Sequence, residues 1–263
     1  NPESEVSKLN DAAAAAASAP VALSQPLASV LATSAEAHSA LGGKFDPTVA
    51  PLTHAWRESL EVDGTPLLPG KVIELRKLVG WHNLGFDAQS GTVSKAADGV
   101  KVDLGGVSKG WVVDEMTRKL VEEVGVTDVL CEWGGDVKAA GNHPQRAAPW
   151  RVGLQRPPCL DALYAAFEQQ EAQQQQQQQQ QQAEEVFSAS DEGEEVEPPL
   201  ASVTLTSGSA LAVSGDFAQS RKFGYHHVVC SSTGELLRCG NSSPALVAVE
   251  ADSCALADAT ATA

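Results

Sequence analysis

VDLGGVSKGWVVDEM, residues 102–116, places three patterns end to end. An alternating apolar stretch ends at Asp103, glycines follow at 105 and 106, and Lys109 opens a segment with helical spacing. The plain reading is a tight, Gly-rich strand-to-helix turn. The alternative is a loop whose bare backbone can approach a phosphate. A helix N-terminus concentrates unpaired N–H groups and positive potential, to which Lys109 adds charge. The run matches neither GxxxxGK(S/T) nor GxGxxG, so on spacing alone the Gly-rich turn is the better reading.

Outward from this stretch, Val107, Trp111, Val112, Met116, Leu120 and Val124 form an apolar stripe at helix period, closed by Gly125. Upstream, residues 24–41 show helical spacing before a Gly42-Gly43 stop. FDPTVAPLTHAW, 45–56, is a segment punctuated by proline, and Leu67 to Leu78 holds a short helix. Trp81–Phe86, Gly91–Ser94 and Gly99–Leu104 read as short strands. So do Asp128–Trp133, Trp150–Leu154, Val203–Thr206, Ala210–Ser214, His226–Val229 and Ala245–Val249, with turns at WGGD (133–136) and SGDF (214–217). A last helix starts near Ser253, a good N-cap. Many strands with sizeable helices predict an α+β domain.

Residues 160–200 interrupt it. Ten glutamines (173–182) and an acidic run offer little to bury, so the insert is expected to be disordered and without chemistry of its own. The domain boundaries follow: 1–159, insert 160–200, then 201–263. The net charge of −16 is uneven, because nine acidic residues between 168 and 197 leave −7 for the rest. No basic footprint for nucleic acid or anionic lipid exists, and no apolar run is long enough to span a bilayer. Five cysteines without CxxC spacing suggest free thiols, which favours a reducing compartment but does not fix location. No HxxxH or HExxH pattern supports zinc.

Three further features suggest chemistry. Asp258 and Thr262 lie four apart, on one helical face, and a carboxylate with a hydroxyl suits Mg²⁺. Of the adjacent strand histidines 226 and 227, at most one is expected in a site, as general base. The two turns WGGD and SGDF sit beside these candidates.

Read in order, SEVSKLN, FDPTVAPL, VDLGGVSKG, the GGD after the next strand, PWRVGLQRP, VSGDF, HHVV and ALADATAT resemble the ApbE family, flavin transferases that move FMN from FAD to protein. The resemblance implies a two-lobed, T-fold-like α+β domain with mixed or antiparallel sheets and packed helices, interrupted by the insert. It implies that the family's first strand is missing here and that the chain stops inside the metal motif. FAD is the implied substrate and Mg²⁺ the implied cofactor. Lys44, Phe45, Asp46, Asp103, Lys109 and the backbone of Val229 would contact the flavin nucleotide. The Gly106 carbonyl, Asp258 and Thr262 would hold the metal, with Ala261 where some members carry a third acid. Of the histidine pair, the pattern selects His227. His227 and Asp216 are the two candidate bases, and the acceptor would be a threonine of another protein.

Two departures stand out. The turn after the histidine strand is Cys230-Ser231-Ser232-Thr233-Gly234 instead of Asp-Pro-x-Thr-Gly, and Val213 replaces a more usual Thr. The first is expected to relax the loop that shapes the flavin pocket. Two other activities share this cleft: an FAD pyrophosphatase, and a non-catalytic flavin-binding module of a larger redox protein. The nearest stretch to an acceptor motif, SGSA (207–210), lacks the threonine, so the chain is not expected to flavinylate itself.

Overall fold

The computed structural model describes residues 1–13, 20–155, 199–215, 225–238 and 246–263. Asp216, Cys159, Cys239, Ala245 and nearly all of the glutamine-rich insert lie outside them, as does the side chain of His226. Two compact units are present: Asn1–Trp150 with Leu205–Ala263, and Arg151–Thr204. The described part of the second is a strand pair, β6 (Trp150–Leu154) with β7 (Ala201–Leu205).

The first unit begins with α1 (Glu5–Asp11), absent from the expectation above and capped by the Ser4 side chain, which accepts from the N–H of Ser7. A small antiparallel sheet, order β1-β3-β2, joins β1 (Val21–Ala22), β3 (Thr92–Lys95) and β2 (Leu84–Asp87). Between β1 and β2 lie α2 (Gln25–Ala40), α3 (Ala50–Glu58) and α4 (Pro69–Arg76). The proline-punctuated stretch thus contains a helix. Its prolines fall at first-turn positions, where the missing N–H costs nothing: Pro47 opens a 3₁₀ turn and Pro51 opens α3. Trp81–Asn83 likewise forms a 3₁₀ turn before β2 rather than extended strand.

Gly99–Leu104 forms no strand. Its backbone is satisfied by other means: the Asn10 side chain accepts from the N–H of Val102 (2.7 Å) and donates to its carbonyl (2.9 Å). The N–H of Asp103 donates to the Pro47 carbonyl at 2.6 Å. One amide side chain on α1 thus takes the role of a neighbouring strand, and the alternating Val100, Val102 and Leu104 are buried against α2 and the small sheet.

The helix after the glycine pair, α5 (Ser108–Glu122), keeps part of the expected stripe: Val107 just before it is buried, and Trp111 and Leu120 pack on the core. Met116 and Val124 are exposed, and Gly110, Val113 and Thr117 are buried instead. Gly110 allows a close approach on this face. A Cβ there would overlap the backbone of Cys254 and Ala255, so α5 meets the last helix, α6 (Cys254–Thr262), backbone to backbone.

Helix α6 is nearly enclosed: Cys254, Ala255, Ala257, Asp258, Ala259 and Ala261 are all buried. It packs on α5 and on a four-stranded antiparallel sheet of order β11-β8-β5-β4. Those strands are β4 (Val129–Trp133), β5 (Asp136–Ala140), β8 (Ala210–Gly215) and β11 (Leu246–Ala251). A separate hairpin pairs β9 (Tyr225–Val229) with β10 (Leu236–Arg238). Its Val229 joins Leu52, Trp56, Leu60, Val72 and Val79 in a second apolar core, so β9 rests on α3 and α4.

Candidate functional site

A cleft of about 500 Å³ in the first unit collects residues from six places in the chain. They are the Lys44–Asp46 turn, α3 with the π-turn that ends it, the Asp103–Lys109 loop, the end of β8, the β9–β10 hairpin, and α6. Every candidate named above that falls within the described residues lines it: Lys44, Phe45, Asp46, Asp103, Gly106, Lys109, His227, Val229, Asp258 and Thr262.

Asp103 is held rigidly. Its backbone is tied to Pro47, and its carboxylate accepts from the N–H of Gly105 (2.9 Å) and the hydroxyl of Thr53 (3.1 Å). Asp46 turns inward. It is buried and caps the Pro47 turn through the N–H and hydroxyl of Thr48 (2.9 and 2.6 Å). Its neighbour Phe45 is buried as well, and Lys44 is exposed. The Phe45 carbonyl meets Nδ1 of His38 at 2.8 Å.

The far end of the cleft is set by charge. Nζ of Lys109 lies 2.8 Å from Oδ2 of Asp136 and 2.9 Å from Oδ1 of Asp258. The other Asp258 oxygen accepts from the N–H of Gly110 at 3.3 Å. Asp258 is buried, not a solvent-facing helix residue. Burial works against the Lys109 ammonium, but its hydrogen bonds to Asp136 and Asp258 outweigh this and raise its pKa above the usual value. Burial, then the nearby Asp258 charge, pushes Asp136 up to about 6 although Lys109 pulls the other way.

Gly106 and Thr262 touch. A Cβ on Gly106 would sit 2.9 Å from both Oγ1 and Cγ2 of Thr262, so the hydroxyl lies against bare backbone. The Asp258 carboxylate and the Thr262 hydroxyl, beside the Gly106 backbone, put hard oxygen donors on one side of the cleft. Such a set fits a hard divalent cation that keeps waters and takes substrate phosphates. Among the described residues no group of three or more His, Cys, Asp or Glu is arranged to bind a metal.

Sequence reasoning overlooked Thr53, Trp56, Arg57 and Glu61, which line the wall supplied by α3 and its π-turn. Nothing signalled them, because the helix was itself unforeseen. It also passed over Asp136 as a site residue, although its GGD motif was noted. The altered turn after β9 is tightly closed: the N–H of Gly234 donates to Cys230 (2.7 Å), and that of Cys230 to Glu235 (2.8 Å). Trp56 adds an indole hydrogen bond to the Gly234 carbonyl at 2.8 Å, and Ser231 Oγ donates to the Gly43 carbonyl at 3.2 Å.

Comparison with known proteins agrees with the architecture. A FAD:protein FMN transferase of Chlamydia pneumoniae is 35% identical over 158 residues, which cover 58% of this chain and 46% of that protein. One of Haemophilus influenzae is 29% identical over 159 residues, covering 59% and 44%. The chain thus spans about half the length of these curated relatives. The flavin transferase ApbE of Vibrio cholerae superposes with a TM-score of 0.69 at 23% identity, covering all of this chain and 70% of that one. An ApbE protein of Thermotoga maritima gives 0.70 at 24%, covering all of this chain and 71% of that one. The family model matches residues 1–263, the whole length in which the cleft and its loops are embedded, and this chain belongs to the ApbE family.

Proposed function

We propose that this protein transfers FMN from FAD to a threonine hydroxyl of an acceptor protein and releases AMP. The observation that carries the reading is the convergence in one cleft of Asp103, Gly106, Lys109, Asp258 and Thr262, in a chain whose relatives are named FAD:protein FMN transferases. The threonine oxygen attacks the FMN-side phosphorus. The bond from that phosphorus to the bridging oxygen breaks, and AMP leaves with the electron pair. The threonine proton passes to His227 on β9 or to Asp216, the two candidate bases. Asp103, pinned by Pro47, Gly105 and Thr53, orients the nucleotide.

The Gly106 carbonyl, Asp258 and Thr262 would hold Mg²⁺. When bound, that ion neutralises charge on the diphosphate. Lys44, Phe45 and the Val229 backbone lie along the remaining length of the cleft, where the flavin nucleotide would rest.

The test incubates full-length protein with FAD and Mg²⁺ and follows AMP, with and without a peptide carrying an acceptor threonine. AMP that appears only with the peptide, with an FMN mass increment on it, is expected. AMP released regardless of peptide would make the protein an FAD pyrophosphatase. Bound FAD with no AMP would make it a flavin-binding module.

A further inference from the structure

Asp136 stands just behind the cleft wall and is fully buried, with a relative exposure of 0%. It opens β5 directly after the Gly134-Gly135 turn, and a Cβ on Gly134 would lie 3.5 Å from Cδ of Lys109. One carboxylate oxygen accepts from Nζ of Lys109, and the other, Oδ1, has no hydrogen-bond partner. The Val213 backbone N–H also favours the charged carboxylate. Burying a charge without a full set of hydrogen-bond partners is costly. An apolar residue would fill the same space at no such cost, so the charge itself needs a reason.

Charge balance supplies one. Lys109 and Asp258 alone form a neutral pair. An ammonium 2.9 Å from Asp258 would then oppose any cation approaching that carboxylate. Asp136 returns the triad to a net −1 and gives the ammonium a second anchor at 2.8 Å. We propose that Asp136 is a positioning residue that anchors Lys109 and supplies the countercharge allowing Asp258 to take a divalent cation while Lys109 stays beside it. This rests on the divalent-cation reading of the Gly106, Asp258 and Thr262 set.

The test measures Mn²⁺ binding to full-length protein without nucleotide, by calorimetry or the spin-resonance signal of free Mn²⁺. Asp136→Asn should weaken binding about tenfold or more, because the local charge rises by one unit. The double variant Lys109→Met with Asp136→Asn restores the net −1 and should return to within about threefold of wild type. A merely structural Asp136 would not be rescued by removing its partner. A folded Asp136→Asn variant with wild-type Mn²⁺ affinity overturns the inference, and so does a double variant no better than the single one. If Asp136→Asn fails to fold, the double variant, which leaves no unpaired charge among those two groups, decides alone. Wild-type affinity supports the inference, and a tenfold loss sinks it. AMP release from FAD is followed in parallel on wild-type protein in the presence of the acceptor-threonine peptide. Normal turnover with Mn²⁺ binding indifferent to these substitutions defeats this inference only. Absent turnover with the expected Mn²⁺ pattern defeats the functional reading only.

Discussion

At the scale of single residues, the cleft depends on what is missing from Gly106. Its conformation is open to any residue, so the constraint is the 2.9 Å that would separate an added Cβ from the Thr262 side chain. On the proposed function, Gly106→Ala should push the hydroxyl or the loop aside and cut FAD turnover assayed with Mg²⁺ about tenfold or more. The thermal midpoint should move by only a few degrees, and a parallel melt and AMP assay check both. Cys230 offers a second prediction. Partial burial works against its thiolate, but hydrogen bonds from Ser232, 3.1 Å away, and Thr233 outweigh this and bring it down to about 7. Burial pushes Cys254 the other way, well above an ordinary thiol. Iodoacetamide should therefore label Cys230 with a midpoint near pH 7 and leave Cys254 unlabelled in folded protein. Ser232→Ala should raise the midpoint, and a midpoint already near that of a free thiol would refute the account.

At the scale of elements, α6 matters because both Asp258 and Thr262 ride on it. Its N-terminus is held from α5: Asp114 accepts from the hydroxyl of Ser253 (2.9 Å) and from the N–H groups of Cys254 and Ala255 (both 3.0 Å). Lys138 of β5 closes the network, 2.6 Å from Asp114 and 2.9 Å from the Asp252 carbonyl. Asp114→Ala removes three hydrogen bonds to a helix start and strands a half-buried ammonium. It should cost about 2–3 kcal/mol of unfolding free energy in urea titration. A loss below about 0.5 kcal/mol would mean that packing on Gly110 alone holds α6. The Ser253 cap was legible in the sequence, but the partner of that cap was not. Asp114 lies 139 residues earlier in the chain, and no local pattern links them.

For the whole molecule, the main question is the long excursion between β6 and β7. Loop-closure entropy grows only as the logarithm of length, so removing the ten glutamines 173–182 should change unfolding free energy by less than about 1 kcal/mol. FAD turnover should also be unchanged, since a run of glutamines offers no chemistry of its own. A drop in turnover on deletion would give the insert a role that its composition does not suggest. No helix among the described residues is long and apolar enough to cross a membrane.

The sequence by itself determined the periodic and punctuated features: the α+β class, three of the four strands of the larger sheet (β4, β8 and β11, but not β5), α2, the Ser253-capped α6, and the motifs that identify the family. These rest on local spacing and capping, which a linear chain carries openly. Tertiary structure decided what depends on distant partners. Asn10 stands in for a strand beside Val102, so an alternating run does not join a sheet. Gly110 brings α5 backbone to backbone against α6, on a face that the apolar stripe does not mark. Asp136, which spacing marks as no more than a turn, becomes the buried carboxylate that shares Lys109 with Asp258. The reason is common to all three: a group's charge, hydrogen bonds and burial are set by what folds against it, and those neighbours lie between 27 and 149 positions away.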